Sequence, residues 1–159
     1  MGLSLTMIRD HLQFLAECEN GFGPANALLK YGRSFSAVRP QLDILPVGAP
    51  KECYRNAAHV VLHYDDVRYT EGYAVDVEGL PVPIEHAWLA CNDGSSIDPT
   101  WRNGTSVAYY GIAFNSEFIK SRIARSRKWN GIFGDHDLMR EFRRAPAMFE
   151  GVLDGKLMV

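Results

Sequence analysis

The chain has 159 residues, of which 47% are hydrophobic and 23% are charged, and its formal net charge is -2 at pH 7. Such a chain is typical of one globular domain, so we predict a single domain over residues 1–159. The near-neutral charge argues against a protein that binds nucleic acid over its whole surface. With no signal-like N-terminus and no apolar segment of membrane-spanning length, the sequence predicts a cytoplasmic protein without a membrane partner.

The N-terminal part of the chain shows helical periodicity, and the segment after it does not. Apolar residues at helical spacing predict a helix over residues 4–19, and a shorter helix is predicted over 25–30. Three prolines interrupt the pattern between residues 33 and 50. We therefore predict a long loop there.

Strands dominate the middle of the chain. A helix is predicted over residues 52–63, and the segments that follow are rich in β-branched and aromatic residues, which predicts strands joined by turns. The predicted strands cover residues 67–77, 84–91, 95–98 and 108–114. The C-terminal third is helical again, with one predicted helix that begins at 115 or 116 and ends near 129, and another over 135–144. This order predicts an α+β domain with an antiparallel sheet.

The three cysteines, Cys18, Cys53 and Cys91, have different predicted settings. Their odd number and irregular spacing suit reduced thiols, and no Cys-x-x-Cys pair indicates zinc, so we predict no metal and no cofactor. Cys53 lies in the first turn of a predicted helix, where unpaired N–H groups and the helix dipole favour a thiolate. The other two are interpreted as small apolar residues. Cys53 is the candidate nucleophile, and a buried structural cysteine is the alternative.

An imidazole and a carboxylate follow this thiol. His86 lies near the start of one predicted strand, and Asp98 lies at the end of the next strand. Hairpin pairing would place them side by side, and a carboxylate that accepts a ring N–H fixes the orientation of an imidazole. Each residue alone has an ordinary explanation, as a hydrogen-bonded strand histidine or as a turn-opening Asp-Pro. Together with Cys53 they predict an activated sulfur nucleophile.

The sequence around these residues resembles a known family. Cys53 at a helix start, the strand with Glu71-Gly72-Tyr73, the His86-Ala87-Trp88 triplet and the Asp98-Pro99-Thr100-Trp101 segment resemble the transglutaminase-like core of the papain-like cysteine enzymes. The resemblance covers residues 53–101. It implies a papain-like fold in which the nucleophile helix packs on an antiparallel sheet. It also implies that Cys53 is the nucleophile, His86 the general base and acid, and Asp98 the orienting carboxylate.

The chain departs from this family at the oxyanion hole. Papain-like relatives place a glutamine six positions before the cysteine, where this chain has Val47. The nearest glutamine is Gln41, which could reach the site only if its loop folds back. The backbone N–H of Cys53 is the other available donor to an oxyanion.

Further polar and aromatic residues are candidates for substrate binding. Glu71 lies on a strand that could face the cleft or the solvent, and Asn56 follows the candidate nucleophile by one helical turn. Trp88 and Trp101 could line a groove, although large aromatic residues more often pack in the core. With Gln41 they complete the predicted substrate-binding set.

Basic residues are concentrated near the C-terminus. Residues 116–144 contain eight basic and four acidic side chains. A solvated helix face is the ordinary explanation for these residues. The functional explanation is that Lys120–Arg144 bind nucleic acid or an acidic partner.

Two functions are open at this point. The leading hypothesis is a cysteine-dependent acyl-transfer enzyme, a hydrolase that cleaves an amide as a peptidase, amidase or deamidase and acts on a protein or peptide. The alternative is a transglutaminase-like fold that serves as a non-catalytic binding module for protein or nucleic acid.

Overall fold

The structure is a computed structural model that describes residues 2–37, 48–101 and 106–158. Six helices and five strands lie in these ranges. The helices are α1 (Gly2–Cys18), α2 (Pro24–Tyr31), α3 (Cys53–His63), α4 (Ser116–Arg125), α5 (His136–Arg144) and α6 (Ala147–Glu150). The strands are β1 (Arg33–Ala37), β2 (Val67–Asp76), β3 (Ile84–Cys91), β4 (Ser95–Ile97) and β5 (Val107–Ala113).

The five strands form a closed barrel in the order β1-β4-β3-β2-β5. The long strand β2 pairs antiparallel with both β3 and β5, and β3 pairs antiparallel with β4. The short strand β1 completes the ring because it pairs antiparallel with β5 and parallel with β4. Closure leaves no open sheet edge in the ring.

This closed barrel contradicts the predicted papain-like core with an open antiparallel sheet. The α+β class and the chain order of β2 to β5 agree with the sequence, but β1 lies within residues 33–50, where the sequence predicts a loop. The reason is that β1 depends on distant partners. Phe35 faces Tyr109, and Ser36 faces Ser95. Local periodicity carries no information about such pairings.

The barrel wall separates two buried apolar clusters. Side chains alternate along β3, so that Trp88 and Ala90 join the cluster inside the barrel, which also contains Phe35 and Tyr109. Ala87 and its neighbours on the other face pack in the larger cluster, which contains the helices. Helix α3 contacts β2 and β3 from this outer side.

The C-terminal third is helical, but its boundaries differ from the prediction. Helix α4 ends at Arg125 rather than near residue 129, and the short helix α6 follows Pro146. The chain then returns to the barrel, where Leu157 is 3% exposed and belongs to the inner cluster. The backbone N–H of Asp154 donates to the carbonyl of Ala113 at 2.9 Å, which fixes this return.

Candidate functional site

The candidate nucleophile lies at the first residue of α3. The N-cap residue Glu52 makes no side-chain capping hydrogen bond, so the first-turn N–H groups are not occupied by a cap. Lys51, just before it, has φ 65°, and it is the only non-glycine residue with positive φ in the ranges that the structure describes. Such a conformation is costly, and it sets the direction from which the chain enters the helix. The Cys53 side chain is largely buried.

His86 and Asp98 form a buried pair beside Cys53. The Nε2 atom of His86 and the Oδ2 atom of Asp98 are 2.7 Å apart, and their side chains are 2% and 4% exposed. Cys53 is the other neighbour that raises the pKa of the His86 imidazole. The structure therefore brings together the thiol, the imidazole and the carboxylate in the order that the sequence suggests.

The charges of this pair depend on each other. Burial alone would lower the pKa of His86, but the hydrogen bond and negative charge of Asp98, together with the neighbouring Cys53, raise that pKa to about 9. Burial favours the neutral form of Asp98, yet the hydrogen bond and positive charge of His86 hold the pKa of this carboxyl below its usual range. An imidazolium and a carboxylate at neutral pH follow from these shifts.

Other residues hold Asp98 and the ring of His86 in place. The Oδ1 atom of Asp98 accepts hydrogen bonds from the backbone N–H of Thr100 at 2.8 Å and of Trp101 at 2.9 Å. The hydroxyl of Tyr109 donates to Oδ2 at 2.8 Å. The indole of Trp101 stacks on the His86 ring, with centroids 4.1 Å apart and planes 19° apart. The imidazole is thus fixed in position and orientation.

Tyr109 is a site residue that sequence reasoning missed. Burial and the charge of Asp98 raise the pKa of Tyr109, so its hydroxyl remains a hydrogen-bond donor. It lies on β5, inside the barrel, and reaches Asp98 only because the barrel closes. The sequence offers one signal for this residue: side chains alternate between the two faces of a strand rich in aromatic residues. That alternation does not predict which partner the Tyr109 hydroxyl binds.

Asn56 and Trp88 lie near the site in different surroundings. The side-chain amide of Asn56 donates to the carbonyl of Ala49 at 2.8 Å and to the hydroxyl of Thr100 at 3.0 Å. The first bond holds the segment that precedes α3, and the second connects α3 to the turn that carries Asp98. Trp88 is fully buried inside the barrel, with its ring centroid 6.3 Å from that of His86.

Glu71 points to the opposite face of the barrel wall from His86. Its carboxylate accepts hydrogen bonds from the hydroxyl of Tyr69 at 2.8 Å, from the N–H of Phe133 at 3.1 Å and from the N–H of Ile132. Burial raises the pKa of Glu71 to about 7, although these bonds favour the ionised form. Glu71 therefore anchors the segment between α4 and α5.

Gln41 and Val47 lie outside the described residues. Within those residues, no cluster of three or more His, Cys, Asp or Glu side chains could hold a metal ion. His59 and His63 have the one-turn spacing of a metal-binding pair, which sequence reasoning overlooked. The Nδ1 atom of His63 instead lies 2.8 Å from the carbonyl oxygen of His59. No helix in the part of the chain that the structure describes is long and apolar enough to cross a membrane.

No protein-family model, curated protein or solved structure matches this chain. Its function is therefore inferred from the geometry and chemistry of its own residues.

Proposed function

We propose that this protein is a cysteine-dependent acyl-transfer enzyme that hydrolyses an amide bond through Cys53, His86 and Asp98. The observation that carries the proposal is the buried His86–Asp98 pair at 2.7 Å, whose imidazole also has Cys53 as a neighbour that raises its pKa. An imidazolium beside a thiol favours the thiolate, which is the nucleophilic form. The short motifs shared with transglutaminase-like enzymes support the same chemistry, independently of the barrel fold.

The reaction follows from these positions. The thiolate sulfur of Cys53 attacks the carbonyl carbon of the amide and forms a C–S bond, while the carbonyl oxygen takes up the negative charge. The C–N bond then breaks, and the ring proton of His86 passes to the departing nitrogen. Water attacks the resulting thioester and gives a proton to His86, and the carboxylic acid leaves as the thiolate is restored. Asp98 keeps the imidazole oriented throughout.

The start of α3 supplies the stabilisation of the oxyanion in this proposal. The first-turn N–H groups have no side-chain cap and point out of the helix end, where the helix dipole also favours negative charge. A donor of this kind typically contributes on the order of 10²–10³ in kcat. It takes the place of the glutamine found in papain-like enzymes.

Alkylation by iodoacetamide at pH 6 tests the proposal without knowledge of the substrate. Cys18 is exposed, whereas Cys53 is buried and Cys91 is half-buried. Accessibility alone would make Cys18 react first. We expect Cys53 to react at least about tenfold faster, because an imidazolium-paired thiolate persists at a pH where ordinary thiols are protonated. Peptide mass spectrometry of samples quenched over time measures the three rates.

Two variants serve as controls for this measurement. His86→Gln should slow alkylation of Cys53 to the rate of Cys91 or below, and it should leave the rate of Cys18 unchanged. Cys53→Ser should abolish the fast phase. Alkylation of Cys18 ahead of Cys53 in the wild-type protein would contradict the enzyme proposal and would favour the non-catalytic binding module.

A further inference from the structure

A groove begins beside the candidate nucleophile. It has a volume of about 800 Å³ and lies between the first turn of α3 and the segment that follows α4. The residues that give it its character are Lys51, Tyr54, Arg55, Arg127, Lys128 and Trp129. We call this surface the basic groove.

The basic side chains of the groove are available to a ligand. Lys51, Arg127 and Lys128 are exposed, and none of them forms an ion pair with another residue in the described ranges. Arg55 pairs with Glu52, the one acidic residue of the lining, at 3.4 Å.

The basic residues elsewhere on α4 and α5 fall into two groups. Lys120 pairs with Asp65, Arg122 with Asp135, and Arg140 with Asp137. Arg125, Arg143 and Arg144 are exposed without an ion pair in the described ranges, and they lie outside the groove lining. Arg127 and Lys128 are therefore the two unpaired cations of residues 116–144 that line the groove.

The groove is lined by the residues on either side of Cys53 in the chain, Glu52 and Tyr54. Tyr54 follows Cys53 in the chain and lines the groove with its half-buried ring. This ring packs on Gly131, whose missing Cβ would lie 2.7 Å from the Tyr54 ring. A chain lying along Arg127 and Lys128 would therefore pass Tyr54, the residue next to Cys53 in the sequence.

The wall formed by residues 126–133 is held in place by hydrogen bonds. The hydroxyl of Ser126 donates to the carbonyl of Lys128 at 2.8 Å, and the indole N–H of Trp129 donates to the hydroxyl of Tyr69 at 3.2 Å. The carboxylate of Glu71 fixes the backbone of Ile132 just beyond. Such a wall presents its cations in a preformed arrangement, which lowers the entropic cost of binding.

We propose that the basic groove binds an acidic stretch of a peptide or protein substrate, whose carboxylates pair with Lys51, Arg127 and Lys128. This inference rests on the proposed function, because an acyl-transfer site next to the groove needs a ligand that carries both negative charge and an amide carbonyl. Nucleic acid fits less well, since the chain has a net charge of -2 and the groove itself offers three unpaired cations.

Binding of short peptides to the Cys53→Ser variant tests the inference apart from turnover. The probes are a fluorescein-labelled nonapeptide of alternating Gly and Glu and the same peptide with Gln for Glu. We expect the Glu peptide to bind about tenfold tighter at low salt by fluorescence anisotropy, and this preference to shrink as salt screens the charges.

Charge variants locate the site. In the Cys53→Ser background, Arg127→Glu with Lys128→Glu should weaken binding of the Glu peptide about tenfold, and the neutral pair Arg127→Gln with Lys128→Gln should weaken it less. Arg144→Glu is the matched control, because this exposed arginine of α5 lies outside the groove lining and should leave the affinity unchanged.

The outcomes separate the two proposals. Equal affinity for the Glu and Gln peptides would overturn the acidic-substrate inference and leave the alkylation result to decide the chemistry. Tighter binding of a single-stranded oligonucleotide of nine thymidines than of the Glu peptide would also overturn it, in favour of nucleic acid. Slow alkylation of Cys53 with intact Glu-peptide binding would overturn the enzyme proposal and with it the role of the ligand as substrate.

Discussion

The charge of His86 decides how the site works, and it depends on two neighbours. Its ring is almost fully buried, which by itself favours the neutral form, and the contacts with Asp98 and Cys53 reverse that preference. A pKa of about 9 means that the imidazolium is present at neutral pH and disappears as the pH rises through 9. In the proposed mechanism, the ion pair that activates the thiol is therefore present from neutral pH up to that limit.

Replacement of Asp98 by Asn tests this dependence. We expect the midpoint of the His86 titration, followed by the NMR shift of its ring C–H groups, to fall from about 9 toward or below 6.5. The contribution of the His86–Asp98 pair to the free energy of unfolding should be fully present below about pH 6.5 and should disappear as the pH rises through 9. Urea unfolding of the wild-type and Asp98→Asn proteins should accordingly differ most at the low end of this window.

Tyr109→Phe is the control for that experiment. It removes the hydroxyl that donates to Asp98 at 2.8 Å but leaves the carboxylate and the imidazole in contact. The midpoint of His86 should therefore stay near 9. A midpoint near 6.5 in the wild-type protein would contradict the charge assignment.

The sequence singles out the three candidate residues because each belongs to a short local pattern: a helix start, a His-Ala-Trp strand and an Asp-Pro turn. It does not identify the residues that hold them. Tyr109 reaches Asp98 from β5, and its role depends on barrel closure. For Trp101, the sequence suggests a groove wall, whereas the structure places its ring on His86.

At the scale of elements, the segment between α4 and α5 depends on one buried carboxylate and one glycine. Glu71 binds the N–H groups of Ile132 and Phe133. Gly131 has φ +83°, and a Cβ there would lie 2.6 Å from the Oε1 atom of Glu71. Residue 131 must therefore be glycine both for its backbone conformation and for its close approach to the carboxylate.

Replacement of three different glycines by alanine separates the requirement for positive φ from the requirement for close packing. Gly131→Ala should lower the free energy of unfolding by about 2–4 kcal/mol, since it combines the cost of positive φ with overpacking. Gly21 has φ +89° but no atom within 4 Å of an added Cβ, so Gly21→Ala should cost only about 1 kcal/mol. Gly155 has open space and no positive φ, and Gly155→Ala should stay within about 0.5 kcal/mol. Equal losses at residues 131 and 21 in urea unfolding would contradict the close packing on Glu71.

At the scale of the whole molecule, the barrel depends on the strand that the sequence does not reveal. β1 has five residues, lies next to a proline-containing segment and has partners near residues 95 and 110. Phe35 is the one large apolar residue of this strand, so the strand shows no repeated alternation of apolar and polar side chains. The strands β2 to β4 are recognisable because turn signals connect them in order, whereas a parallel pair between β1 and β4 leaves no local trace in the sequence.

Phe35 provides the test of this closure. It lies inside the barrel at 4% exposure, with its ring centroid 5.9 Å from that of Trp88 in an edge-to-face arrangement. If β1 is an integral wall, Phe35→Ala leaves a cavity beside Trp88 and should lower the free energy of unfolding by about 3–5 kcal/mol. That loss is a large fraction of the stability of a typical domain.

The same substitution elsewhere supplies the control. Phe14 on α1 is 64% exposed, so Phe14→Ala should change the free energy of unfolding by no more than about 0.5 kcal/mol. Because both variants lose the same atoms, the difference between them isolates burial in the barrel from any effect on the unfolded chain. Phe35→Ala should also change the near-ultraviolet circular dichroism of Trp88. Similar small losses for both phenylalanines would mean that residues 33–37 behave as the surface loop that the sequence predicts, and would contradict the closed barrel.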